Sequence, residues 1–124
     1  MAVHRLESES DDPEWPPDDF TGEWIVEWPN GEVCVRSAYL QGKAEGEWFC
    51  GWPNGQVAQR GYNSNGQCVG IWVDYREDGT KLKEVEYHGP RNFQTRFYSP
   101  QGALKSVTDR VDGKVISKQE FPAT

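Results

Sequence analysis

The side chains of this chain that could carry out catalysis are two histidines, three cysteines and several pairs of carboxylates. His4 lies in an acidic N-terminal segment, and His88 directly precedes Gly89. A histidine-dependent triad would need His88 beside a nucleophile such as Ser99, Ser106 or a cysteine. Nothing in the spacing selects one of these nucleophiles, so the sequence favours a histidine in a turn.

Glu84 and Glu86 form the carboxylate pair that most resembles a catalytic arrangement, because residues two apart project from the same face of a strand. A glycosidase uses two carboxyl groups about 5–9 Å apart, so such a pair is geometrically conceivable. Exposed strands are commonly acidic, however, and chance alone often gives this separation. No glycine-rich turn opens a helix that could hold phosphate. We therefore expect no catalytic residue and no cofactor.

The three cysteines, Cys34, Cys50 and Cys68, are odd in number and irregularly spaced. They occupy different positions relative to the nearest turn glycine, so no regular fold brings them together automatically. This pattern predicts structural thiols, with no metal site and no disulfide framework. Reduced thiols are typical of the cytosol, and we expect a cytoplasmic protein.

Tryptophan is the residue type best suited to recognition here, with six copies in 124 residues. Trp24, Trp48 and Trp72 recur at a constant interval, and this regularity predicts indoles that stack between neighbouring units. A sheet face rich in tryptophan also has the composition of an interface hot spot. A purely structural ladder and a recognition surface therefore both remain open, and we expect these three indoles to be mainly structural.

The better candidates for partner contact lie beside turns. Trp28 and Trp52 each precede a Pro-Asn-Gly turn, and Tyr75 lies one position earlier in the third unit. Trp15 and Phe20 are aromatic residues set among acids and prolines in the N-terminal segment. These two residues either form a short recognition segment or cap the exposed end of the first repeat, and the cap is favoured because sheet ends need cover.

These residues must be positioned by a repeat of constant length, which starts at Gly22, again at Gly46 and, as a looser copy, at Gly70. A fixed period of this size is typical of stacked repeats. Turn glycines follow at short intervals from position 31 to position 113, several within Asn-Gly or Asp-Gly hairpin dipeptides. The sequence therefore predicts an all-β fold, an antiparallel β-meander of about four stacked hairpin repeats in an elongated twisted single sheet.

The acidic charge is concentrated at the N-terminus, where residues 1–20 hold −6 of the net charge of −7. Such a composition predicts a disordered segment over residues 1–20, dispensable for folding, and a repeat domain over residues 21–124. The acidity opposes binding to nucleic acid or to an anionic membrane. No apolar run approaches the length of a membrane span, and residues 1–7 lack the apolar centre of a signal peptide.

The order of Gly-x-Trp, an aromatic residue, Asn/Asp-Gly, Tyr and a second Gly resembles the MORN (membrane occupation and recognition nexus) repeat in its bacterial variant. The likeness covers residues 22–89 well and residues 93–113 weakly. The matching residues are Gly22, Trp24, Asn30, Gly31, Tyr39 and Gly42, then Gly46, Trp48, Asn54, Gly55 and Gly66, then Gly70, Trp72, Tyr75, Asp78, Gly79, Tyr87 and Gly89.

The resemblance implies one β-hairpin per repeat, stacked into an elongated sheet. Many bacterial proteins with this variant are labelled antitoxins or immunity-like proteins, and others are scaffolds. The chain departs from the pattern where Trp28-Pro29 and Trp52-Pro53 replace a tyrosine-rich end, and where Asn63 stands in the place of Tyr39.

The sequence favours a non-catalytic protein-binding module. The most specific expectation is a cytoplasmic antitoxin or immunity-type binder, or an assembly subunit, that sterically covers another protein such as a toxin or effector. The alternative is glycan or cell-wall binding through tryptophan platforms.

Overall fold

The structure, a computed structural model, describes residues 2–122 and builds them into one ten-stranded sheet. The strands are β1 (Ala2–Arg5), β2 (Gly22–Glu27), β3 (Val33–Leu40), β4 (Lys43–Gly51), β5 (Val57–Ser64), β6 (Gln67–Tyr75), β7 (Lys81–Gly89), β8 (Asn92–Tyr98), β9 (Leu104–Val111) and β10 (Lys114–Glu120). Each strand pairs with its neighbours in the chain, and every pair from β2 onward is antiparallel. The predicted all-β meander in a single sheet is confirmed. The described residues contain no helix that could cross a membrane.

Two kinds of turn alternate along the sheet, and both follow from local residue chemistry. At one edge, five-residue turns begin at Trp28, Trp52, Arg76 and Ser99, and a glycine in fourth position donates its N–H to the first residue's carbonyl. At the other edge, two-residue turns use Gln41-Gly42, Asn65-Gly66 and Asp112-Gly113, in which both residues have positive φ. Such tight turns require positive φ at both central positions, which Asn, Asp and Gly tolerate best. The turn glycines therefore fix the ends of most strands, and the Pro90-Arg91 connection between β7 and β8 is the exception.

The sheet has two unlike faces, because successive side chains in a strand point to opposite sides. The strapped face carries Trp24 and Val26 of β2, and the cross-strand register places Val35 and Cys50 on the same side. The open face carries the residues between them. Its central row runs straight across the strands through Ile25, Arg36, Phe49, Arg60 and Val73.

Residues 2–20 differ from the expected disordered segment. Ala2–Arg5 form β1, which pairs in parallel with β2, so the sheet begins well before residue 21. The connection that follows, residues 6–20, crosses the strapped face and is called the strap. The N-terminal region is held by contacts that its acidic composition does not reveal: the His4 ring of β1 stacks on Trp24 at 4.3 Å, and Leu6 of the strap packs against the core.

The hydrophobic core lies at the N-terminal end of the sheet, between the strapped face and the strap. Its buried residues are Trp24, Val26, Cys34 and Val35. A single sheet has no second layer of its own, so it can bury one face only where another segment of the chain covers it. The strap supplies that cover over β2–β4, whereas β10 is exposed along its whole length.

Candidate functional site

The tryptophan ladder lies on the strapped face and is largely buried. Trp24 is 6% exposed and Trp72 is 8% exposed. Register places Ser37 between Trp24 and Trp48, and Gly61 beside Trp48 on the next strand. Small residues thus alternate with indoles across the strands and leave space for the rings. The geometry gives these three indoles a packing role.

The strap covers two of these indoles with its own aromatic residues. The Trp15 ring stacks on Trp48 at 5.8 Å, and the Phe20 ring meets Trp24 edge-on at 5.4 Å. The Trp24 indole N–H also donates to the carbonyl oxygen of Glu14 at 2.9 Å. Trp15 and Phe20 thus lie over the strapped face, while β1 pairs along the end of the first repeat that they were expected to cap. Trp15 keeps 55% of its surface exposed, and partner contact by either residue stays a prediction.

Trp28 and Trp52 lie at the edge of the five-residue turns and link each turn to the next. The Trp28 indole N–H donates to the carbonyl of Gly51 at 2.8 Å, and that of Trp52 donates to the carbonyl of Tyr75 at 3.2 Å. Arg76 takes the same position in the third unit and donates to the carbonyl of Tyr98 at 2.7 Å. Both indoles thus have a role within the fold, and their contact with a partner stays a prediction.

Tyr75 lies on the open face, apart from the other four predicted contact residues. The Arg60 guanidinium carbon lies 5.9 Å from the centre of the Tyr75 ring, and Arg60 also donates to the Tyr75 hydroxyl at 3.4 Å. The five predicted residues therefore do not form one site: Trp15 and Phe20 are on the strapped face, Trp28 and Trp52 are at the turn edge, and Tyr75 is on the open face.

The open face contains a shallow groove of about 610 Å³ across β3–β6, which we call the open-face groove. Its apolar side chains include Tyr62 and Ile71, which are 52% and 50% exposed. The side chains that line it from the open face are Arg36, Glu47, Phe49, Arg60, Tyr62, Ile71 and Val73. Aromatic residues and arginine are the types enriched at interface hot spots.

Sequence reasoning missed this groove because it followed the aromatic residues of the repeat and neglected the arginines. The signal was present, since Arg36, Arg60 and Glu84 also recur at the interval of the repeat and occupy one position in three successive units. The strand register gives the three residues equivalent positions, because each lies directly opposite one residue of the following strand. These opposite residues are Phe49, Val73 and Arg96 respectively.

Glu84 and Glu86 both form ion pairs with cationic side chains, and they do not resemble a catalytic pair. Arg96 lies 3.2 Å from Glu84 and 3.1 Å from Glu86, while Tyr98 and Lys81 also donate to Glu84. Partial burial would raise the pKa of Glu84, but the hydrogen bonds from Tyr98, Arg96 and Lys81 lower it. A glycosidase acid needs a raised pKa, so this network acts in the opposite direction.

The three cysteines are free thiols on or near the strapped face. Burial raises the pKa of the Cys50 thiol to about 11, and it also raises the pKa of Cys34 and of Cys68. A thiol with a raised pKa is a poor nucleophile and metal ligand at neutral pH. Within residues 2–122 no group of three His, Cys, Asp or Glu side chains is arranged to hold a metal ion.

Comparison of the chain with family models, with curated proteins and with solved structures gives no match.

Proposed function

We propose that this chain is a non-catalytic protein-binding module that covers a surface of another protein with its open-face groove. The observation that carries the proposal is the exposure of Tyr62 and Ile71 at the centre of a sheet face over which the described chain places no second layer. Monomeric proteins rarely leave contiguous apolar patches uncovered unless the patch binds something. The strap covers the apolar side chains of the strapped face, whereas no described segment covers those of the groove.

The composition of the groove supports a protein partner in particular. Tyrosine, phenylalanine and arginine are enriched at the centres of protein–protein interfaces. The paired strands β3–β6 form the floor of the groove before a partner binds, and a preformed site loses less entropy on binding. The regular repeat, with its resemblance to the MORN pattern, supports the same class of function, because stacked repeats present extended binding surfaces.

In its most specific form, the proposal is an antitoxin or immunity-type protein, or an assembly subunit, that acts sterically. Such a protein needs no catalytic residue, because covering the functional surface of its partner is sufficient. The seven acidic residues within residues 1–20 would give the other side of the molecule a second, electrostatic means of attracting a basic partner.

Glycan binding has weaker support, because the indoles that would serve as sugar platforms are mostly covered. Trp24 lies beneath His4 and Phe20, and Trp48 lies beneath Trp15. Trp15 itself offers one exposed indole, whereas a platform for an extended glycan needs several in a row. The open face carries none of the three ladder tryptophans.

A photocrosslinking experiment tests the proposed function. A photoreactive phenylalanine analogue at position 71 should crosslink to one protein in extract from the source cells, and the same analogue at position 40 should not. Leu40 is a fitting control because it is 55% exposed and lies beside a hairpin turn outside the groove. The double substitution Tyr62→Ser and Ile71→Ser should weaken the complex about tenfold or more, since hot-spot residues dominate binding energy.

The same experiment can reject the proposal. Equal crosslinking from positions 71 and 40, or full binding by the double variant, would place the binding surface elsewhere. Recovery of glycan without protein would favour the alternative function. Thermal unfolding of the double variant serves as a control, because exposed side chains should contribute little to stability.

A further inference from the structure

The open-face groove contains two arginines in one straight row. Arg36 of β3 lies directly opposite Phe49 of β4, and Phe49 lies directly opposite Arg60 of β5. Neighbouring strands are about 4.8 Å apart, so the Cα atoms of the two arginines are about 10 Å apart. Phe49 lies between the two cations.

Neither arginine has an acidic partner, in contrast to a third arginine on the same face. Within residues 2–122 no carboxylate lies within ion-pair distance of Arg36 or Arg60. Arg96, further along the same face, is paired with both Glu84 and Glu86. Among the described side chains that line the groove, Glu47 is the one acid, and it pairs with neither arginine. The fold thus neutralises one guanidinium and leaves two available.

Each guanidinium group lies near an aromatic ring. The Arg36 guanidinium carbon lies 5.2 Å from the centre of the Phe49 ring, and that of Arg60 lies 5.9 Å from the Tyr75 ring. A cation above an aromatic face gains favourable electrostatic energy. One N–H of Arg60 also donates to the Tyr75 hydroxyl at 3.4 Å. The other N–H groups of the two guanidiniums can donate to a carboxylate, and a guanidinium can do so through two parallel hydrogen bonds. The two groups are therefore partly pre-organised for carboxylate binding.

The floor between and beside the arginines is apolar. Phe49, Ile71 and Val73 line it, with the Tyr62 ring at one side. A ligand with charge alone would leave this apolar surface exposed to water, and a ligand without charge would leave the guanidinium groups unpaired. The matching ligand combines both features.

We propose that the open-face groove binds an acidic segment of a partner protein, in which an apolar side chain lies between two carboxylates that pair with Arg36 and Arg60. This inference rests on the proposed function and names the chemistry of its partner. Charge complementarity carries it, because the carboxylates supply what Arg36 and Arg60 lack. A second copy of this chain and an anionic membrane are the alternative occupants, and the outcomes below distinguish them from a partner segment.

Binding of a fluorescent random copolymer of glutamate and tyrosine, followed by anisotropy at physiological salt, tests the inference. The copolymer combines carboxylates with apolar rings and assumes no particular conformation. The double substitution Arg36→Ala and Arg60→Ala should weaken binding about tenfold or more. The charge-matched control, Lys105→Ala and Lys114→Ala, removes two cations outside the groove and should change binding by about twofold at most. Polyglutamate alone should bind more weakly than the copolymer, because it leaves the apolar floor uncovered.

A further pair of substitutions separates geometry from charge. Arg36→Lys and Arg60→Lys keep both charges but lose the planar fork, so binding should fall between that of the wild type and that of the alanine variant. Arg36→Gln and Arg60→Gln, checked by thermal unfolding, replace the alanine variant if that variant unfolds. If the Arg36→Ala and Arg60→Ala variant loses no more binding than the Lys105→Ala and Lys114→Ala control, the attraction is nonspecific and the inference is overturned.

Other outcomes identify a different occupant. If the chain dimerises with rising concentration and the Arg36→Ala and Arg60→Ala variant does not, the groove binds a second copy of the chain and not a partner segment. If the protein sediments with phosphatidylserine vesicles and the Arg36→Ala and Arg60→Ala variant does not, the groove binds an anionic membrane. If the copolymer binds the Arg36→Ala and Arg60→Ala variant as well as it binds the wild type, this inference fails. The proposed function still stands if Tyr62→Ser and Ile71→Ser weaken binding of the native partner.

Discussion

Gly61 shows how a single residue determines the packing of an indole. A Cβ atom built on Gly61 would lie 2.1 Å from the Trp72 ring, closer than any real contact allows. The ring lies against the bare backbone of β5, and its N–H donates to the carbonyl of Tyr62 at 3.0 Å. Glycine is thus required here by close approach.

We expect Gly61→Ala to lower the free energy of unfolding by about 1–3 kcal/mol or more, because the added methyl group overpacks the ladder. Urea titration would measure the loss. Gly89→Ala is the matched control: Gly89 also lies in a strand without positive φ, and its Cβ would meet Asn92 at an ordinary 3.4 Å. Equal costs for the two substitutions would show that the tryptophan contact is unimportant.

The buried thiols predict a loss of stability at alkaline pH. Burial raises the pKa of Cys50 to about 11, whereas an unfolded thiol titrates near its ordinary value of about 8.5. Between these two values the unfolded state releases a proton that the folded state keeps, so a rise in pH favours unfolding. One such thiol lowers the free energy of unfolding by up to about 1.4 kcal/mol per pH unit.

Urea titrations from pH 7 to pH 10 on wild type and on Cys50→Ala would measure this effect. Burial also raises the pKa values of Cys34, Cys68 and Tyr87, so the substitution should reduce the alkaline slope without abolishing it. An identical slope in the two proteins would mean that the Cys50 thiol is more accessible to water than its position indicates.

At the scale of elements, β1 and the strap are the parts that sequence reasoning described least well. A parallel strand pair needs a long connection, here residues 6–20, and its partner cannot be read from local spacing. The acidic residues predicted disorder, yet a few apolar contacts, at His4, Leu6 and Phe20, hold the segment in place. The meander was predictable because tight turns are specified by adjacent residues.

Deletion of residues 2–13 should therefore destabilise the protein, in contrast to the dispensable segment that composition predicts. The loss of β1, of Leu6 and of the His4–Trp24 stack should cost about 2–4 kcal/mol. For a chain of this length the melting temperature should fall by roughly 10 °C. A variant with Glu9→Gln and Asp12→Asn keeps the strap and should melt near the wild-type temperature. An unchanged melting temperature for the deletion would restore the original expectation.

The candidate site was harder to predict than the fold, for a physical reason. Periodicity identifies which residues share a row, but it does not show which rows are covered by another segment. The position of Trp28 and Trp52 beside turns predicts accessible indoles, yet each indole N–H donates to a backbone carbonyl at the end of a following strand. Arg36 and Arg60 differ from Arg96 on the same face because Arg96 is paired with two carboxylates and they are not, and spacing along the sequence does not reveal this difference.

At the scale of the whole molecule, charge and cover divide between the two faces. The acidic strap lies over the strapped face, whereas the groove with Arg36 and Arg60 lies on the open face. The net charge of −7 therefore conceals two surfaces of different character. A partner segment that reaches the groove meets two arginines without an acidic partner together with the carboxylate of Glu47, whereas one that approaches the strap meets carboxylates.

The bonds between successive turns also bear on how such a molecule can evolve. Trp28 reaches Gly51, Trp52 reaches Tyr75 and Arg76 reaches Tyr98, so each of these links joins one unit to the next. Within residues 2–122 the sheet is open, with β1 and β10 as its two outer strands. Tandem duplication of one repeat unit in phase would supply a new donor and a new acceptor together and leave every existing link intact. The number of units is thus open to natural selection, which can lengthen the surface without redesigning it.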